Sequence, residues 1–327
     1  MNLAIVGATG LVGKTFLDVL EERNIEIDNL FLFASEKSKG KIIKFKEKDY
    51  TVLELTEDSF KMNQIDYALF SAGGEISKKF APIAAENGCI VIDNSSSWRM
   101  DEKVPLVVPE VNPEDVKWNN GIIANPNCST IQAVVALAPL HREYKIKRIV
   151  YSTYQAVSGA GIEGIKDLER GMKGEKNEKF PHQIYNNCIP HIDSFLDNGY
   201  TKEEMKMVNE TRKMLHDQTM KITSTTVRVP VTNCHSESIN IEFYNQFEIE
   251  KVKQLLRDSE GIIVVDDIQN NMYPLATGAE GKNEVYVGRI RRDESLENGL
   301  NLWVVADNIR KGAATNAVQI LELMLKG

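Results

Sequence analysis

The chain begins with a short apolar run followed by three regularly spaced glycines. Residues 3–6 are apolar, the glycines follow as G-x-x-G-x-x-G, and apolar residues then recur at helical spacing from Phe16. Strand, glycine turn and helix in this order open a dinucleotide-binding unit, in which the pyrophosphate approaches the turn and faces the helix N-terminus. This spacing differs from G-x-G-x-x-G and is by itself a weak signal. We expect a nucleotide site at Gly7, Thr9, Gly10, Leu11, Val12 and Gly13.

The loop after the second apolar run, residues 29–34, bears on the choice of nucleotide. A site for NAD has a carboxylate here for the ribose diol, whereas a 2′-phosphate requires hydroxyls and cations. Ser35, Lys37 and Ser38 favour NADP, and Glu36 favours NAD. The alternative for these lysines is a solvated loop without a ligand.

Alternation of apolar runs with helical segments continues as far as residue 94. Strand patterns at 67–74 and 89–94 enclose a helical pattern at 76–87, and the strands are apolar on both faces, which predicts a parallel sheet flanked by helices. Cys89 lies in such a strand and is expected to be structural. Arg99 follows a strand end and a run of hydroxyl residues, so it either binds an anion or forms a surface ion pair.

Strand patterns with partial alternation dominate the rest of the chain. They occur at 148–157, 222–229, 238–243, 285–290 and 300–305. We expect an α+β domain with a mixed, largely antiparallel sheet, one face of which meets a partner. The helical pattern at 311–325 is expected to return to the first domain. The predicted division is therefore 1–127 with 310–327 as the NADP-binding domain, and 128–309 as the catalytic and dimerisation domain.

Composition excludes several classes of protein. The 327 residues exceed what one core usually holds, and a net charge of −8 without a basic block makes nucleic acid an unlikely partner. No apolar run reaches membrane-spanning length and no signal-peptide pattern is present, so we expect a cytoplasmic protein that does not bind a membrane. The four cysteines lack C-x-x-C spacing, which argues against a zinc ribbon and a disulfide scaffold, and no metal site is expected.

One cysteine stands where an irregular segment becomes a helical apolar run. Cys128 follows Asn125-Pro126-Asn127 and precedes residues 131–138, which are mostly apolar. A helix N-terminus favours thiolate over thiol and can later hold an oxyanion. The alternative is that Cys128 is a small buried hydrophobic residue.

Candidate partners for this thiol lie in the second half of the chain. His235 can exchange a proton near neutral pH and Arg228 can bind a carboxylate through its fork. Cys234 is a competing nucleophile, but it lacks a following helix start. Gln155 begins a loop of small residues that includes Ser158 and Gly159, and this loop either covers a ligand or is a plain turn. Glu203 and Lys206 lie three residues apart in a helical pattern. They either face a crevice or form a surface pair.

These segments together closely resemble aspartate-β-semialdehyde dehydrogenase, over nearly the whole chain. The matching motifs are Gly7 to Gly13, Asn94-Ser95-Ser96 with Arg99, Asn125 to Cys128, Gln155 to Gly159, Glu203 with Lys206, Arg228 with His235, and Lys311 to Asn316. The resemblance implies a Rossmann-like domain, NADP as cofactor and a homodimer formed through the second-domain sheet. Three positions depart from the family pattern: Lys37 replaces an arginine, Glu75 a small hydroxyl residue and Cys234 a small residue.

The resemblance also implies a role for each motif. It makes Cys128 the nucleophile, His235 the acid/base and Gln155 an orienting residue. Arg228 and Glu203 would bind the substrate carboxylate and amine, with Asn127 as a further contact. Phosphate would be held by Arg99 and Lys206, and Asn316 would lie near the nicotinamide, with Ser158 and Gly159 also contacting the cofactor.

The implied reaction is the NADP-dependent, reversible reductive dephosphorylation of β-aspartyl phosphate to L-aspartate-β-semialdehyde. It would proceed through a thioester on Cys128, in the biosynthesis of lysine, threonine, methionine and isoleucine. Two alternatives stay open. One is an enzyme that resembles N-acetylglutamyl-phosphate reductase, whose substrate lacks the free amine that Glu203 would bind. The other is a non-catalytic NADP-binding regulatory protein in which Cys128 is merely buried.

Overall fold

The opening strand lies inside a parallel sheet, as the sequence predicts. The computed structural model describes residues 1–326, and the chain forms two compact units, Met1–Pro126 with Ala313–Gly327 and Asn127–Gly312. The strands of the first unit are β1 (Asn2–Val6), β2 (Asn29–Ala34), β3 (Ile42–Phe45), β4 (Lys48–Thr51), β5 (Leu53–Glu54), β6 (Tyr67–Phe70), β7 (Ile90–Asp93) and β8 (Ile122–Ala124). Its helices before residue 127 are α1 (Leu11–Glu22), α2 (Ser59–Asn63) and α3 (Gly74–Glu86).

Six of these strands form one sheet in the order β5-β2-β1-β6-β7-β8, and all its pairings are parallel. Strands β3 and β4 form a separate antiparallel hairpin. The central strands are apolar on both faces because helices cover both faces of a parallel sheet. The predicted dinucleotide-binding fold of this unit is therefore confirmed.

The second unit begins with a long helix and contains the second sheet. Its helices are α4 (Cys128–Tyr144), α5 (Ile162–Met172), α6 (Lys202–Met214), α7 (Ile249–Arg257) and α8 (Ala276–Ala279). Its strands are β9 (Ile146–Gln155), β10 (Lys221–Arg228), β11 (His235–Phe243), β12 (Ile262–Val264), β13 (Val285–Asp293) and β14 (Gly299–Ala306).

These strands form a mixed sheet in the order β10-β9-β11-β14-β13-β12. The three inner pairings are antiparallel, and β10 and β12 join the edges in parallel. Burial alternates along β11, where odd-numbered residues are buried and even-numbered residues are partly exposed. The predicted mixed, largely antiparallel sheet is confirmed, and one of its faces is covered while the other is more polar.

The last helix, α9 (Thr315–Lys326), belongs to the first unit. A π-helical turn, Arg310–Ala314, precedes it. Ala317, Val318, Ile320 and Leu321 of α9 join the core formed by β1, β2 and α1. Among residues 1–326, no helix is both long enough and apolar enough to cross a membrane.

Candidate active site

Cys128 is the first residue of α4, as its sequence context predicts. Asn127 occupies the N-cap, and its side-chain oxygen accepts the backbone N–H groups of Ser129 (3.0 Å) and Thr130 (3.2 Å). The cap leaves the Cys128 side chain at the positive end of a 17-residue helix. This position favours a thiolate at Cys128.

The Cys128 thiol contacts one ring nitrogen of His235. Sγ lies 3.2 Å from Nε2, and the backbone N–H of Ala156 donates to Nδ1 at 3.0 Å. Because a backbone N–H can only donate, Nδ1 must be unprotonated, and the neutral ring carries its proton on Nε2, facing the sulfur. Burial, and then the nearby Arg228 charge, lower the pKa of His235 to about 3, so the ring is neutral at physiological pH.

The other three cysteines occupy different environments. Cys89 and Cys234 are buried and Cys188 is exposed. Burial raises the pKa of the Cys89 thiol to about 12 and raises the pKa of Cys234 as well. Cys234 precedes β11, at a left-handed backbone position with a φ of 72°. Geometry therefore favours Cys128 as the nucleophile over Cys234, the residue that precedes His235.

Glu203 accepts hydrogen bonds from three side chains, one of which is Asn127. Its Oε1 accepts from the Asn127 amide at 2.9 Å and the Gln155 amide at 3.1 Å, and its Oε2 accepts from Lys206 at 3.0 Å. Burial alone raises the pKa of this carboxyl, but the Lys206 charge and the three hydrogen bonds outweigh it and hold the pKa at about 2. Glu203 is therefore a buried carboxylate at neutral pH.

Lys206 joins Glu203 to a second carboxylate. Its ammonium lies 2.8 Å from Asp193 Oδ2, and this side chain retains partial exposure. Burial lowers the pKa of Lys206, but the two carboxylates raise it overall, so the group remains cationic. A charged and accessible ammonium is suited to binding an anion.

Arg228 is a buried cation at the end of β10. Its Nη1 donates to the Ala156 carbonyl at 2.7 Å, while Nε is buried without a hydrogen-bond partner in the described structure. Burial lowers the pKa of the guanidinium, which nevertheless stays charged. A buried guanidinium with an unused donor is suited to a carboxylate ligand.

Two glycines are close neighbours of these groups. A Cβ on Gly159 would lie 2.8 Å from Arg228 Nη1 and 3.1 Å from His235 Cε1. A Cβ on Gly312 would lie 2.8 Å from Cys128 Cβ. Gly159 was expected from the sequence to contact the cofactor, whereas the contact of Gly312 with Cys128 was not foreseen, although Gly312 belongs to a motif that carries the resemblance.

Ser158, also expected to contact the cofactor, is buried next to Gly159. Its hydroxyl and the Asn308 amide group hydrogen-bond each other, at 3.0 and 3.3 Å. Asn308 Oδ1 also accepts the Cys234 backbone N–H at 2.9 Å. In this structure Ser158 thus ties its loop to the residue that precedes His235.

Another residue that sequence reasoning missed is Glu210. Its Oε2 accepts the backbone N–H of Asn127 at 2.7 Å, so α6 holds Asn127 through both Glu203 and Glu210. The seven-residue spacing of these glutamates in a helical pattern was the available signal, because it places them on one helix face two turns apart.

In the first unit, the glycine turn fits a phosphate group. Gly7 has a φ of 92°, and a Cβ there would lie 2.5 Å from the Ser71 carbonyl oxygen. A Cβ on Gly13 would lie 2.2 Å from the Gly7 carbonyl oxygen, so both glycines are required by close backbone packing. Gly10, the N-cap of α1, has no side chain that could bond the first N–H groups of the helix. Thr9, Leu11 and Val12 complete this turn. The N–H groups of Gly7 and Gly10 bond backbone carbonyls, and the first N–H groups of α1 are of the kind that bind pyrophosphate.

The loop after β2 contains several cations. Ser35 and Lys37 are exposed, and Ser38 is buried, with its hydroxyl accepting from Lys41 Nζ at 3.3 Å. Lys39 is ion-paired with Glu54 at 3.2 Å. Glu75, which also departs from the family pattern, is an exposed residue of α3 paired with Lys78.

Arg99 and Asn316 also lie in the first unit. Arg99 donates from Nε to the Asn125 carbonyl at 2.9 Å and from Nη2 to the Asn94 carbonyl at 3.0 Å. Asn316 donates to the Val107 carbonyl and to Asn125 Oδ1, at 3.0 and 2.7 Å. Both residues therefore brace the segment that leads from β8 to Pro126.

Each compact unit thus brings together part of the predicted site. The second unit assembles Cys128, His235, Gln155, Arg228, Glu203, Asn127 and Lys206, with Ser158 and Gly159 beside them. The first unit contains the glycine turn and the serine and lysine loop, and it brings Arg99 and Asn316 together at Asn125. Within residues 1–326, no cluster of three or more His, Cys, Asp or Glu side chains could hold a metal ion.

Known proteins contain the same two domains. Residues 2–119 match a family model described as the NAD-binding domain of semialdehyde dehydrogenase, and residues 137–311 match the model of its dimerisation domain. An aspartate-semialdehyde dehydrogenase from Aquifex aeolicus is 59% identical over 335 residues, covering 99% of this chain and 98% of that protein.

Solved structures are similar as well. Aspartate semialdehyde dehydrogenase II from Vibrio cholerae, complexed with ASA, is 50% identical, with a TM-score of 0.95 and coverage of 99% of this chain and 98% of that chain. The Candida albicans enzyme with NADP is 26% identical, with a TM-score of 0.79 and coverage of 99% and 98%. With both family models matched and full-length relatives at this identity, the chain belongs to the aspartate-semialdehyde dehydrogenase family of oxidoreductases.

Proposed function

We propose that this enzyme reduces β-aspartyl phosphate to L-aspartate-β-semialdehyde reversibly, with NADP as its cofactor and a thioester on Cys128 as its intermediate. The observation that carries the proposal is the 3.2 Å contact between Cys128 Sγ and His235 Nε2 at the start of α4. In the cell the reaction runs towards the aldehyde, supplying the biosynthesis of lysine, threonine, methionine and isoleucine.

The charges near Cys128 match the two ends of an amino acid. The guanidinium of Arg228 binds the α-carboxylate, and the carboxylate of Glu203 binds the α-amino group. Gln155 and Asn127, which both donate to Glu203, keep it in place for this contact. A buried carboxylate with a pKa of about 2 counts against N-acetylglutamyl phosphate, because that substrate has no ammonium to pair with it.

In the oxidative direction, the Cys128 thiolate adds to the aldehyde carbon and the carbonyl oxygen becomes an alkoxide. The N–H at His235 Nε2, which faces the sulfur in the resting enzyme, donates a hydrogen bond to this alkoxide. When the hydride leaves carbon, the alkoxide re-forms the carbonyl and a thioester remains on Cys128. The resemblance implies that His235 is an acid/base. We propose instead that it acts as a hydrogen-bond donor, because Nδ1 already accepts the Ala156 N–H and the ring proton therefore lies on Nε2.

Inorganic phosphate completes the oxidative reaction. Lys206 and Arg99 bind the dianion, and a phosphate oxygen attacks the thioester carbon, so that the C–S bond breaks and the Cys128 thiolate is restored. In the reverse direction the thiolate displaces phosphate from the acyl phosphate. The positive end of α4 stabilises Cys128 as nucleophile in one direction and as leaving group in the other.

The nucleotide would be held in the first unit, where close backbone packing at Gly7 and Gly13 shapes the turn that leads into the N-terminus of α1, the end of a helix that suits a pyrophosphate. Its nicotinamide ring supplies the hydride acceptor in the oxidative direction and the hydride donor in the reductive direction. Ser35, Lys37 and Ser38 bind the 2′-phosphate, for which hydroxyls and cations are suited. The Candida albicans relative with bound NADP supports this preference. Asn316, Ser158 and Gly159 would line the nicotinamide end.

We also propose that two copies associate through the sheet of the second unit. The matched dimerisation-domain model covers that sheet. Its outward face carries half-buried aromatic side chains, with the Tyr154 and Trp303 rings 5.6 Å apart. Light scattering at several protein concentrations tests the dimer, and a mass of one chain at all of them would contradict it.

The reaction is tested by following reduced cofactor formation from L-aspartate-β-semialdehyde. The expected result is activity that requires inorganic phosphate and has a lower KM for NADP than for NAD. Cys128→Ala removes the nucleophile and should abolish turnover, whereas Cys188→Ala, at the exposed thiol, is the matched control. Phosphate-independent activity, or normal turnover in Cys128→Ala, would contradict the thioester, and nucleotide binding without any turnover would identify a regulatory protein.

A further inference from the structure

The carboxylate of Asp167 organises a segment of irregular chain in the second unit. Asp167 lies in α5, is fully buried at its side chain, and accepts three successive backbone N–H groups, from Glu178 (2.8 Å), Lys179 (2.7 Å) and Phe180 (2.8 Å). Arg170 adds an ion pair at 2.7 Å. Burial alone raises the pKa of this carboxyl, but these bonds outweigh it and lower the pKa overall, so Asp167 is ionised at neutral pH.

This anchoring positions the Phe180 ring against the guanidinium of Arg228. Its centroid lies 5.8 Å from Cζ of Arg228, within cation–π range. A Cβ on Gly164 of α5 would lie 3.3 Å from Phe180 Cζ, so the ring also packs closely on that helix. Phe180 therefore covers the guanidinium from the side of α5.

The same segment holds the backbone of Arg228. Ile189 and Arg228 exchange two backbone hydrogen bonds, at 2.9 and 2.8 Å. Phe180 and Ile189 belong to one apolar cluster, together with Val157, Leu168 and Ile184. This segment thus holds the backbone of Arg228 through Ile189 and shields its charged end through Phe180, whose backbone N–H bonds Asp167.

Shielding matters because Arg228 has few partners of its own. In the described structure the guanidinium makes one hydrogen bond, from Nη1 to the Ala156 carbonyl, and Nε makes none. Where water is excluded, a guanidinium attracts a carboxylate more strongly. A buried N–H without a partner also gains most in free energy when a ligand accepts its hydrogen bond.

We propose that Phe180, held by Asp167, is a specificity-determining residue that prepares Arg228 for the substrate α-carboxylate by excluding water from the guanidinium. The inference rests on the proposed function, in which Arg228 binds that carboxylate. Neither residue touches the reacting atoms, so both act through Arg228.

The test compares two aldehydes with and without a carboxylate. Phe180→Leu, Phe180→Ala and Asp167→Asn are assayed with L-aspartate-β-semialdehyde and with 3-aminopropanal, which lacks the carboxylate. Ile165→Ala is the matched control, because Ile165 packs on the same cluster from α5. In the Phe180 variants we expect KM for the semialdehyde to rise roughly fivefold to thirtyfold with kcat nearly unchanged, because water that reaches the guanidinium weakens its attraction for the carboxylate.

With 3-aminopropanal, kcat/KM should be the same in the wild type and in the variants. Asp167→Asn should raise KM for the semialdehyde as well, and in the double variant with Phe180→Leu the two effects should not add, because they act through one contact. An unchanged semialdehyde KM in Phe180→Leu, or an equal loss with both aldehydes, overturns the inference. If instead the wild type does not oxidise the semialdehyde, the proposed function has failed. Phe180→Leu retains most of the apolar volume, so it carries the test if Phe180→Ala does not fold.

Discussion

The close approach of Gly312 to Cys128 leads to the sharpest test of the site's geometry. Gly312 lies in the π-helical turn Arg310–Ala314, and a Cβ there would be 2.8 Å from Cys128 Cβ and 3.2 Å from its Cα. The φ of Gly312 is outside the left-handed region, so alanine introduces a steric conflict without backbone strain of its own. Gly312→Ala therefore perturbs the nucleophile specifically.

The expected size of the effect follows from these distances. Carbon atoms in contact normally lie about 3.5–4.0 Å apart, so the new methyl group forces a displacement of about 0.7 Å or more. If Cys128 moves, its 3.2 Å contact with His235 is stretched or misdirected. A misplacement of about 1 Å costs on the order of a hundredfold in rate, and overpacking costs about 1–3 kcal/mol of stability. We expect kcat/KM to fall roughly thirtyfold to a hundredfold while the protein still folds.

Two assays separate the site from the fold. Initial rates give kcat/KM, and the rate of iodoacetamide alkylation reports the reactivity of Cys128 directly. Alkylation is measured in a Cys188→Ser background, because Cys188 is the exposed thiol. Gly278→Ala is the matched control: its Cβ would have no neighbour within 4 Å, and alanine suits its helix, α8.

The control should keep wild-type rates and an equal or higher urea midpoint. Gly312→Ala should lose turnover and thiol reactivity together, with only a modest drop in its midpoint. A folded Gly312→Ala with kcat/KM within twofold of the wild type would refute the reasoning, because the methyl group would then have found room without moving Cys128.

Three further predictions concern buried titratable groups. The neutral His235 ring should show 15N shifts of the Nε2–H tautomer from pH 5 to 8, since Nδ1 accepts the Ala156 N–H; an Nδ1–H or doubly protonated ring at pH 7 would contradict this. Because the pKa of Glu203 falls from 4.5 to about 2 on folding, its ionised form contributes about 3 kcal/mol above pH 4.5. Urea unfolding of Glu203→Gln should show this loss at pH 7, and the deficit should shrink as pH falls from 4.5 to 2. Burial raises the pKa of Glu237, whose oxygens have no hydrogen-bond partner in the described structure. As pH rises above 4.5, the wild type should therefore lose stability relative to Glu237→Gln, by about 1.4 kcal/mol per pH unit. Equal slopes of unfolding free energy against pH in the two proteins would contradict this.

Local patterns in the sequence were sufficient for much of the fold. The apolar run, the glycines at 7, 10 and 13 and the helical spacing after them predict the first βα unit, because burial and backbone freedom are properties of neighbouring residues. The helix start at Cys128 is equally local, since Asn127 is a good N-cap residue. Alternation predicted the strands of the second unit, but not the parallel pairing of β10 and β12 at its edges, which depends on how distant segments meet.

Within the candidate site, the sequence by itself determined the chemical groups available: a thiol at a helix start, an imidazole, an arginine and a glutamate. Only the tertiary structure decided their states. The Ala156 N–H sets the tautomer of His235 across 79 positions of chain, Asn127 and Gln155 hold Glu203 ionised across 76 and 48 positions, and Gly312 makes room for Cys128. Hydrogen-bond partners and steric room at such separations depend on how the chain packs, and no local periodicity encodes them.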